Sequence, residues 1–461
     1  MQNFEFMRYI LPILLVLSIC ISSCNDPDDN TIVSSDARVS TFTFQPDTAN
    51  PGLTTAVYKI EHRTDTGLIT SKDSLRYGTR LDSVVPLVTY MATPGIVNFV
   101  LPDTTITSTG IDTINFNQKP IYLQVIASDM ETEKWYLIDI AAHQSDPNLY
   151  VWSCLTENIF SPNPIPNCET KAFYWQDKLV VFVNNGLSTT LYQSVNGVIW
   201  SPIEEPIDML PVPCHVRDIL QHHDTLFYID NHSLYTSTDL VTWSKTDYST
   251  TSCTPINMLM SYDNKAWAIL QDTTTQQLLL GIITGHDIIP QTNIEGLNNG
   301  YLPSNFPISD FAALSFSSSS ERPRAMVVGG RANNGDMVNS RWNLEYVRQQ
   351  GYRLKDFSIA QPSFESLIGV SIIQYNHQLI MFGGTDNDLA MRSDILYSDD
   401  EGMNWYLPDS TSNRMPSTYQ PRTNQTVLID SDENIYIIGG QSQNRSFGDV
   451  YCGFLNSKKW D

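Results

Sequence analysis

Positive charge is what this sequence has least of. Lysine and arginine together number 27 against 50 aspartates and glutamates, a net charge of −23. A nucleic-acid binder draws affinity from basic groups set against phosphate, and a chain this acidic shows no such footprint. Charged residues of both signs make up only 17 % of the chain. That leaves little material for long surface helices, which are built on Glu, Lys and Arg. Cysteine is scarce too: of seven, Cys154, Cys168, Cys214, Cys253 and Cys452 lie beyond the N-terminal segment that holds Cys20 and Cys24. An odd set with no C-x-x-C spacing argues against a disulfide framework and against a zinc site. Buried free thiols are the default reading, with a Cys154–Cys168 bridge as the open alternative. Past Ile21 no apolar run approaches the roughly 20 residues of a spanning helix. G-x-S-x-G, Walker, Rossmann and H-E-x-x-H patterns are all missing, so no cofactor and no metal is expected.

What is present is aromatic and apolar. The 461 residues hold 22 Tyr, 18 Phe and 9 Trp, with 41 % hydrophobic side chains. This is enough for a large core and excludes a disordered chain, and the balance favours strands. The length implies two or three domains, or one small unit beside one large single-core architecture.

Residues 1–23 read as a processing signal: Arg8 is the sole basic side chain, and the apolar run Tyr9 to Ile21 is too short to span a membrane. The run ends Ile21-Ser22-Ser23-Cys24, which resembles a bacterial lipobox, in which the cysteine is acylated and becomes the mature N-terminus. The acidic stretch Asn25-Asp26-Pro27-Asp28-Asp29-Asn30 after it resembles the export signal of Bacteroidota-type surface lipoproteins. The resemblance implies lipidation at Cys24, an acidic tether over 24–35, and an outer-membrane protein facing the cell exterior. Acyl chains acting together anchor stably.

Residues 36–145 read as a small β domain. Val39–Phe44, Ala56–Ile60, Ile121–Ile126 and Trp135–Ile140 alternate at period two, and Pro46, Pro51-Gly52, Pro86 and Pro94-Gly95 punctuate them. Short strands at this density predict an Ig-like sandwich, without the Cys…Trp…Cys core. The phrase Lys72-Asp73-Ser74-Leu75-Arg76-Tyr77-Gly78-Thr79 resembles one in N-terminal domains of Bacteroides-type propeller lipoproteins of unknown function.

From 146 to 461 the chain repeats. A polar turn followed by an apolar strand recurs at Gln176–Phe182, Asp224–Ile229, Asp263–Ile269, Arg324–Gly330, Asn376–Gly384 and Glu433–Gly440. With Leu179, Leu226, Ala266, Ala325, Leu379 and Ile435 equivalent, the spacings are 47, 40, 59, 54 and 56 residues. Periods of this size, with four strand-sized pieces each, predict a β-propeller of six blades. The last three copies end in Gly-Gly, and Asp394–Tyr397 and Asp449–Tyr451 follow, as in kelch-like blades. The glycines are expected at the crowded end of the inner strand, where a side chain would collide and a positive φ is needed. Ser398-x-Asp400-x-Gly402-x-x-Trp405 fits the Asp-box of sialidase-type repeats, and Ser194–Trp200 and Ser237–Trp243 are shorter relatives. Since the last copy stops where its outer strand should begin, Leu149–Leu155 is expected to pair with it and close the ring.

Asp-boxes occur in many non-enzymatic propellers as turns, and nothing here identifies the arginine trio, Tyr–Glu pair and acid Asp of a sialidase. Ser398, Asp400, Gly402 and Trp405 are therefore read as structural. His222-His223-Asp224 falls in a turn and lacks a partner motif. Asp386-Asn387-Asp388 resembles a fragment of a Ca²⁺ loop without its closing glutamate. From Glu321 to Lys355 the local charge is +4, either scattered solvated arginines or a basic sector for an anionic ligand such as an acidic glycan. Free polar groups are expected on the face shared by the strand 2–3 loops and the interblade connections: Arg331, Asn334, Asp336, Asp388, Arg392, Tyr419, Arg422, Asn444 and Arg445. The expected function is a non-catalytic binding module for a glycan or outer-membrane protein partner, with a glycan-active hydrolase or lyase as the alternative; the membrane is a partner through the lipid, and nucleic acid is not.

Overall fold

The computed structural model describes residues 33–459 except 49, 51, 144–145, 359–364 and 409–412; the signal, Cys24 and most of the acidic tether lie outside the described residues. The chain divides into two compact units, Met1–Asp146 and Pro147–Asp461. Among the described residues, all regular structure is strand apart from two short 3₁₀ turns, Val216–Asp218 and Asn456–Lys459.

The first unit has a two-stranded sheet, Val39–Phe44 with Pro86–Tyr90, and a six-stranded sheet in which Ile121–Ala127 and Glu133–Asp139 are central. Period-two burial along Ile121–Ala127 turns Ile121, Leu123, Val125 and Ala127 inward, onto a core with Phe42, Phe44, Phe99 and Phe116. The larger sheet is mixed, because Thr66–Ser71 runs parallel to Glu133–Asp139.

The second unit is a β-propeller of six successive antiparallel sheets. Their innermost strands are Glu169–Trp175, Leu220–His222, Cys253–Tyr262, Ala312–Ser317, Ser371–Tyr375 and Thr426–Ile429. The repeated apolar segments of the sequence are the second strands, one per blade. They are near-continuous buried runs, such as Lys178–Asn184 and Ile435–Ile438, because each has a neighbouring blade on both faces. Two-residue turns with both φ positive, Gln176-Asp177, Asp263-Asn264 and Asn376-His377, join the first strand to the second. Such turns match the twist of the hairpin and suit small polar residues.

Six hydrophobic clusters sit in the six gaps between neighbouring blades. Phe182 and Trp243 join the first blade to the second, for example, and Met326 and Met381 join the fourth to the fifth. The last cluster, with Val181 of the first blade against Ile438 and Val450 of the sixth, closes the ring. Tyr150–Thr156 pairs antiparallel with Val450–Leu455 as the outer strand of the sixth blade, so the start and the end of the unit share one sheet.

The paired glycines follow the second strand, not the innermost one as the sequence reading had placed them. Gly329/Gly330, Gly383/Gly384 and Gly439/Gly440 repeat one conformation, with φ of 64/99, 61/98 and 64/96°. The second N–H of each pair donates to the next blade's entry segment: Gly330 to Leu367 O (2.8 Å), Gly384 to Arg422 O (2.9 Å) and Gly440 to Thr170 Oγ1 (3.2 Å). A Cβ on Gly329 would lie 2.3 Å from Leu367 O, and one on Gly383 2.5 Å from Arg422 O. Blades can approach this closely only where no side chain intervenes.

Cys154 and Cys168 are both free thiols, the first exposed and the second buried, so the bridge left open by the sequence is not formed. Cys253 and Cys452 are only partly buried.

The closure carries a test. A chain beginning at Cys168 lacks the outer strand of the sixth blade and should lose the single sharp thermal transition seen by calorimetry, whereas a chain beginning at Asp146 should keep it. Equal sharpness in both would show that the ring does not depend on this strand.

Candidate functional site

The innermost strands of all six blades surround an axial channel of about 660 Å³, within the size range of small-molecule sites. Its wall includes Lys171, Asp218, Gln221, Asn257, Ser315, Ser371, Gln374 and Gln425 among apolar neighbours. At one mouth Arg217, ahead of the second blade, reaches Asp310, ahead of the fourth, at 3.2 Å; Asp310 also holds Arg331 at 3.2 Å. Glu169 beside them lies 3.2 Å from His215 Nδ1. Three arginine and carboxylate groups from the second and fourth blades are thus spent on each other across the opening.

Two charged groups in the channel are not. Lys171 and Asp218 form no side-chain hydrogen bond or ion pair among the described residues, and the Oε1 of Gln425 is buried without a partner. Burial pushes the Lys171 ammonium below its ordinary value, against the pull of the nearby Asp218 charge. Burial likewise pushes the Asp218 carboxyl up, opposed by Arg217 and His215 and reinforced by Asp310 and Glu169. Both groups therefore resist ionisation, as expected where solvation is poor and no direct partner compensates. Neither residue was singled out in the sequence. The one available signal was a lone lysine in the otherwise uncharged interior of the strand Glu169–Trp175.

The loops and connections named in advance do share one face: isolated bridges join Ser309 to Arg331, Ile368 to Thr385 and Thr423 to Gln441. Their polar groups are largely occupied. Arg331 donates to Gly335 O as well as pairing with Asp310. Asn334 bonds Asp336 (2.6 Å), and Arg392 pairs with Glu365 (3.1 Å). The Asp386–Asp388 segment is a turn in which Asp386 Oδ1 accepts the N–H groups of Asp388 and Ala390. Asp388 itself is exposed. Asn444 and Arg445 line a separate groove of about 290 Å³ with Glu157, Asn167 and Phe447, and the Arg445 guanidinium stacks on the Phe447 ring at 4.5 Å.

Tyr419 and Arg422 require correction. Arg422 is fully buried. Its Nη1 and Nη2 lie 2.5 and 3.0 Å from the two carboxylate oxygens of Asp449, and it also donates to the carbonyls of Gly439 and Gln420. Its plane lies 4.4 Å from the Tyr419 ring centre and 4.0 Å from that of Phe447. Tyr419 is buried against Tyr451. Arg422 pins the entry connection onto the sixth blade, Tyr419 packs in the cluster between the fifth and sixth, and both side chains are spent. Sequence could not separate a buried arginine from an exposed one, because its partner lies 27 residues away.

The basic stretch of the fourth blade is likewise largely neutralised. Arg324 pairs with Glu345 and Glu401, Lys355 and Arg353 with Glu345, and Arg353 with Glu295. Arg341 is buried and donates to the carbonyls of Met403 and Ser358. Arg322 and Arg348 stay exposed without an ion pair among the described residues, so two separate arginines remain rather than a basic sector. On the opposite face, Ser398 Oγ accepts the Gly402 N–H (2.8 Å), Asp400 that of Asn404 (2.8 Å), and Trp405 Nε1 donates to Gly402 O (3.2 Å). The turns at Ser194 and Ser237 repeat the carboxylate or amide and tryptophan bonds, with Leu240 at φ 77° in the glycine position of the third. His222 and His223 bond Ser261 and Asn264 of the next blade.

A profile described as the DUF6242 beta propeller domain matches residues 146–461, and one for the DUF6242 N-terminal domain, a domain of unknown function, matches residues 30–140. The chain belongs to the DUF6242 family. No curated protein matches it. Among solved structures, one titled "Structure of YjhT" is 13 % identical, covering 63 % of this chain and 96 % of that one with a TM-score of 0.41.

In this DUF6242 propeller the Arg422–Asp449 pair is open to direct measurement. Arg422→Met leaves a buried carboxylate without its partner and should cost about 3–5 kcal/mol of unfolding free energy, read by urea denaturation. A loss below about 1 kcal/mol, the ordinary worth of an exposed pair, would contradict the buried role.

Proposed function

We propose that this protein is a surface lipoprotein whose propeller binds a glycan, without catalysis, in the axial channel. The observation that carries the reading is the contrast between spent and unspent charge. Arg217, Arg331 and Arg392 are committed to loop carboxylates, whereas Lys171 and Asp218 stand unpaired in an open channel of mixed polar and apolar lining. Buried polar groups in folded proteins are nearly always hydrogen-bonded. A channel that leaves the buried Gln425 Oε1 unsatisfied beside two unpaired charges is suited to a ligand rich in hydroxyl groups.

The alternative of a glycan-active hydrolase or lyase draws on Asp218, whose carboxyl holds its proton above the usual range beside Glu169 and Asp310. Acid and base carboxylates in such enzymes flank the scissile bond. Here Asp310 is tied by two arginines and Glu169 contacts His215, which favours binding over turnover.

A glycan array probed with the full chain should give retained binders that Asp218→Asn weakens at least tenfold, with no new reducing ends on long incubation. Release of reducing ends by the wild type and not by Asp218→Asn would establish the enzyme instead; an empty array would refute the glycan reading.

The lipid anchor rests on the Ile21-Ser22-Ser23-Cys24 sequence. Cys24→Ala should move the protein from the membrane fraction to the soluble one and abolish fatty-acid labelling. A wild type that takes up no labelled fatty acid would overturn the anchor.

A further inference from the structure

Lys171 lies on the innermost strand of the first blade, facing the channel. The charged groups gathered near it at the mouth are Asp218, Arg217 and Asp310, with Glu169 and His215 alongside. Arg217 is held by Asp310 and His215 by Glu169, which leaves Lys171 as the one channel-lining cation without a direct partner among the described residues. Unspent acceptors include the Asp218 carboxyl and the buried Oε1 of Gln425, beside the Asn424 amide, which can both donate and accept. The amide nitrogen of Gln425 is committed to Phe382 O at 2.7 Å, which fixes that oxygen as the side the residue can still use. The cavity thus presents one donor of positive charge and several acceptors, in a space of about 660 Å³.

A neutral sugar supplies hydroxyl donors for the acceptors and hydroxyl oxygens that accept from the ammonium, but no charge to offset it. A bare anion satisfies the ammonium but faces Asp218 and Gln425 with no donor. A sugar acid does both. We propose that the channel takes a terminal sugar bearing a carboxylate, of the uronic acid class, with the carboxylate on Lys171 and ring hydroxyls donating to Asp218 and Gln425. This rests on the glycan reading of the same channel and adds the ligand's charge. Charge-assisted pairs withdrawn from water are among the stronger polar contacts, and a lysine left unpaired by a neutral analogue is the basis of discrimination.

The probe is trigalacturonic acid, titrated calorimetrically into the full chain beside the same trisaccharide with its carboxyl groups reduced to primary alcohols. The acid should bind at least tenfold more tightly than its reduced form. Lys171→Met should bring the affinity for the acid down to the level at which the wild type binds the reduced sugar. The comparison of the two sugars on the wild type stands even if the variant does not fold. Equal affinity for acid and reduced sugar would overturn the carboxylate pairing and leave glycan binding in the channel intact. Tight binding of the acid that survives in Lys171→Met would place the ligand elsewhere. Failure of both sugars to bind, alongside neutral array glycans that do bind and depend on Asp218, would overturn the acidic class alone; failure of every sugar refutes the glycan reading with it.

Discussion

Every sheet of the propeller is apolar on both faces, and this one constraint organises the rest of the structure. A blade cannot stand at an end, because its outward face would expose a cluster such as Val181, Ile438 and Val450 to water. Burial contributes roughly 25 cal/mol per Å² of apolar surface, so an unmatched face is a large loss and the ring must close on itself. Closure falls to Tyr150–Thr156, which finds its partner Val450–Leu455 across nearly the whole unit. That pairing is non-local, so its loop entropy has to be met before its hydrogen bonds form. The blade contacts around the ring are what make it worthwhile.

Close approach between blades explains where polar groups went. At the end of each of the last three second strands, a glycine pair lets backbone meet backbone, and the N–H of Gly330, Gly384 and Gly440 reaches into the next blade. Arg422 does similar work with a side chain, using its guanidinium on Asp449 and two carbonyls while aromatic rings cover its faces. An arginine tolerates such burial because its planar fork can satisfy several acceptors at once. The rim is therefore built from groups that hold it together, and the groups left unspent lie inside, along the axis.

How much of this was legible in the sequence follows from range. The second strands were plain, because a strand buried on both faces reads as an unbroken apolar run behind a turn of Asp, Asn, Gln or His. The Ser398–Trp405 turn was plain for the same reason, since its bonds are local. Closure was legible from an unpaired strand at one end and a missing one at the other. The innermost strands were not, since Leu220–His222 and Thr426–Ile429 are short and carry mixed polarity toward the channel. The fate of each charge was also hidden. Arg331, Arg422 and Lys171 are alike in sequence, yet one bridges to Asp310, one is buried on Asp449, and one stands in the cavity. Only the folding of entry segments and loops onto their blades decides among them.

A chain of net charge −23 that holds its one unpaired channel cation on the axis has separated long-range from short-range electrostatics. At physiological ionic strength the acidic surface is screened within about 8 Å, so its repulsion acts on approach and fades inside a channel walled by protein. Within the channel the effective dielectric is lower and a single ammonium counts for more. The surface field thus disfavours loose adsorption of polyanions on the exterior, where a basic rim would have collected them without selection. The axial lysine acts only on a group small enough to enter. On the proposed reading, an outer surface that repels and an inner site that attracts would select by fit before charge, with no need of the fourth-blade arginines.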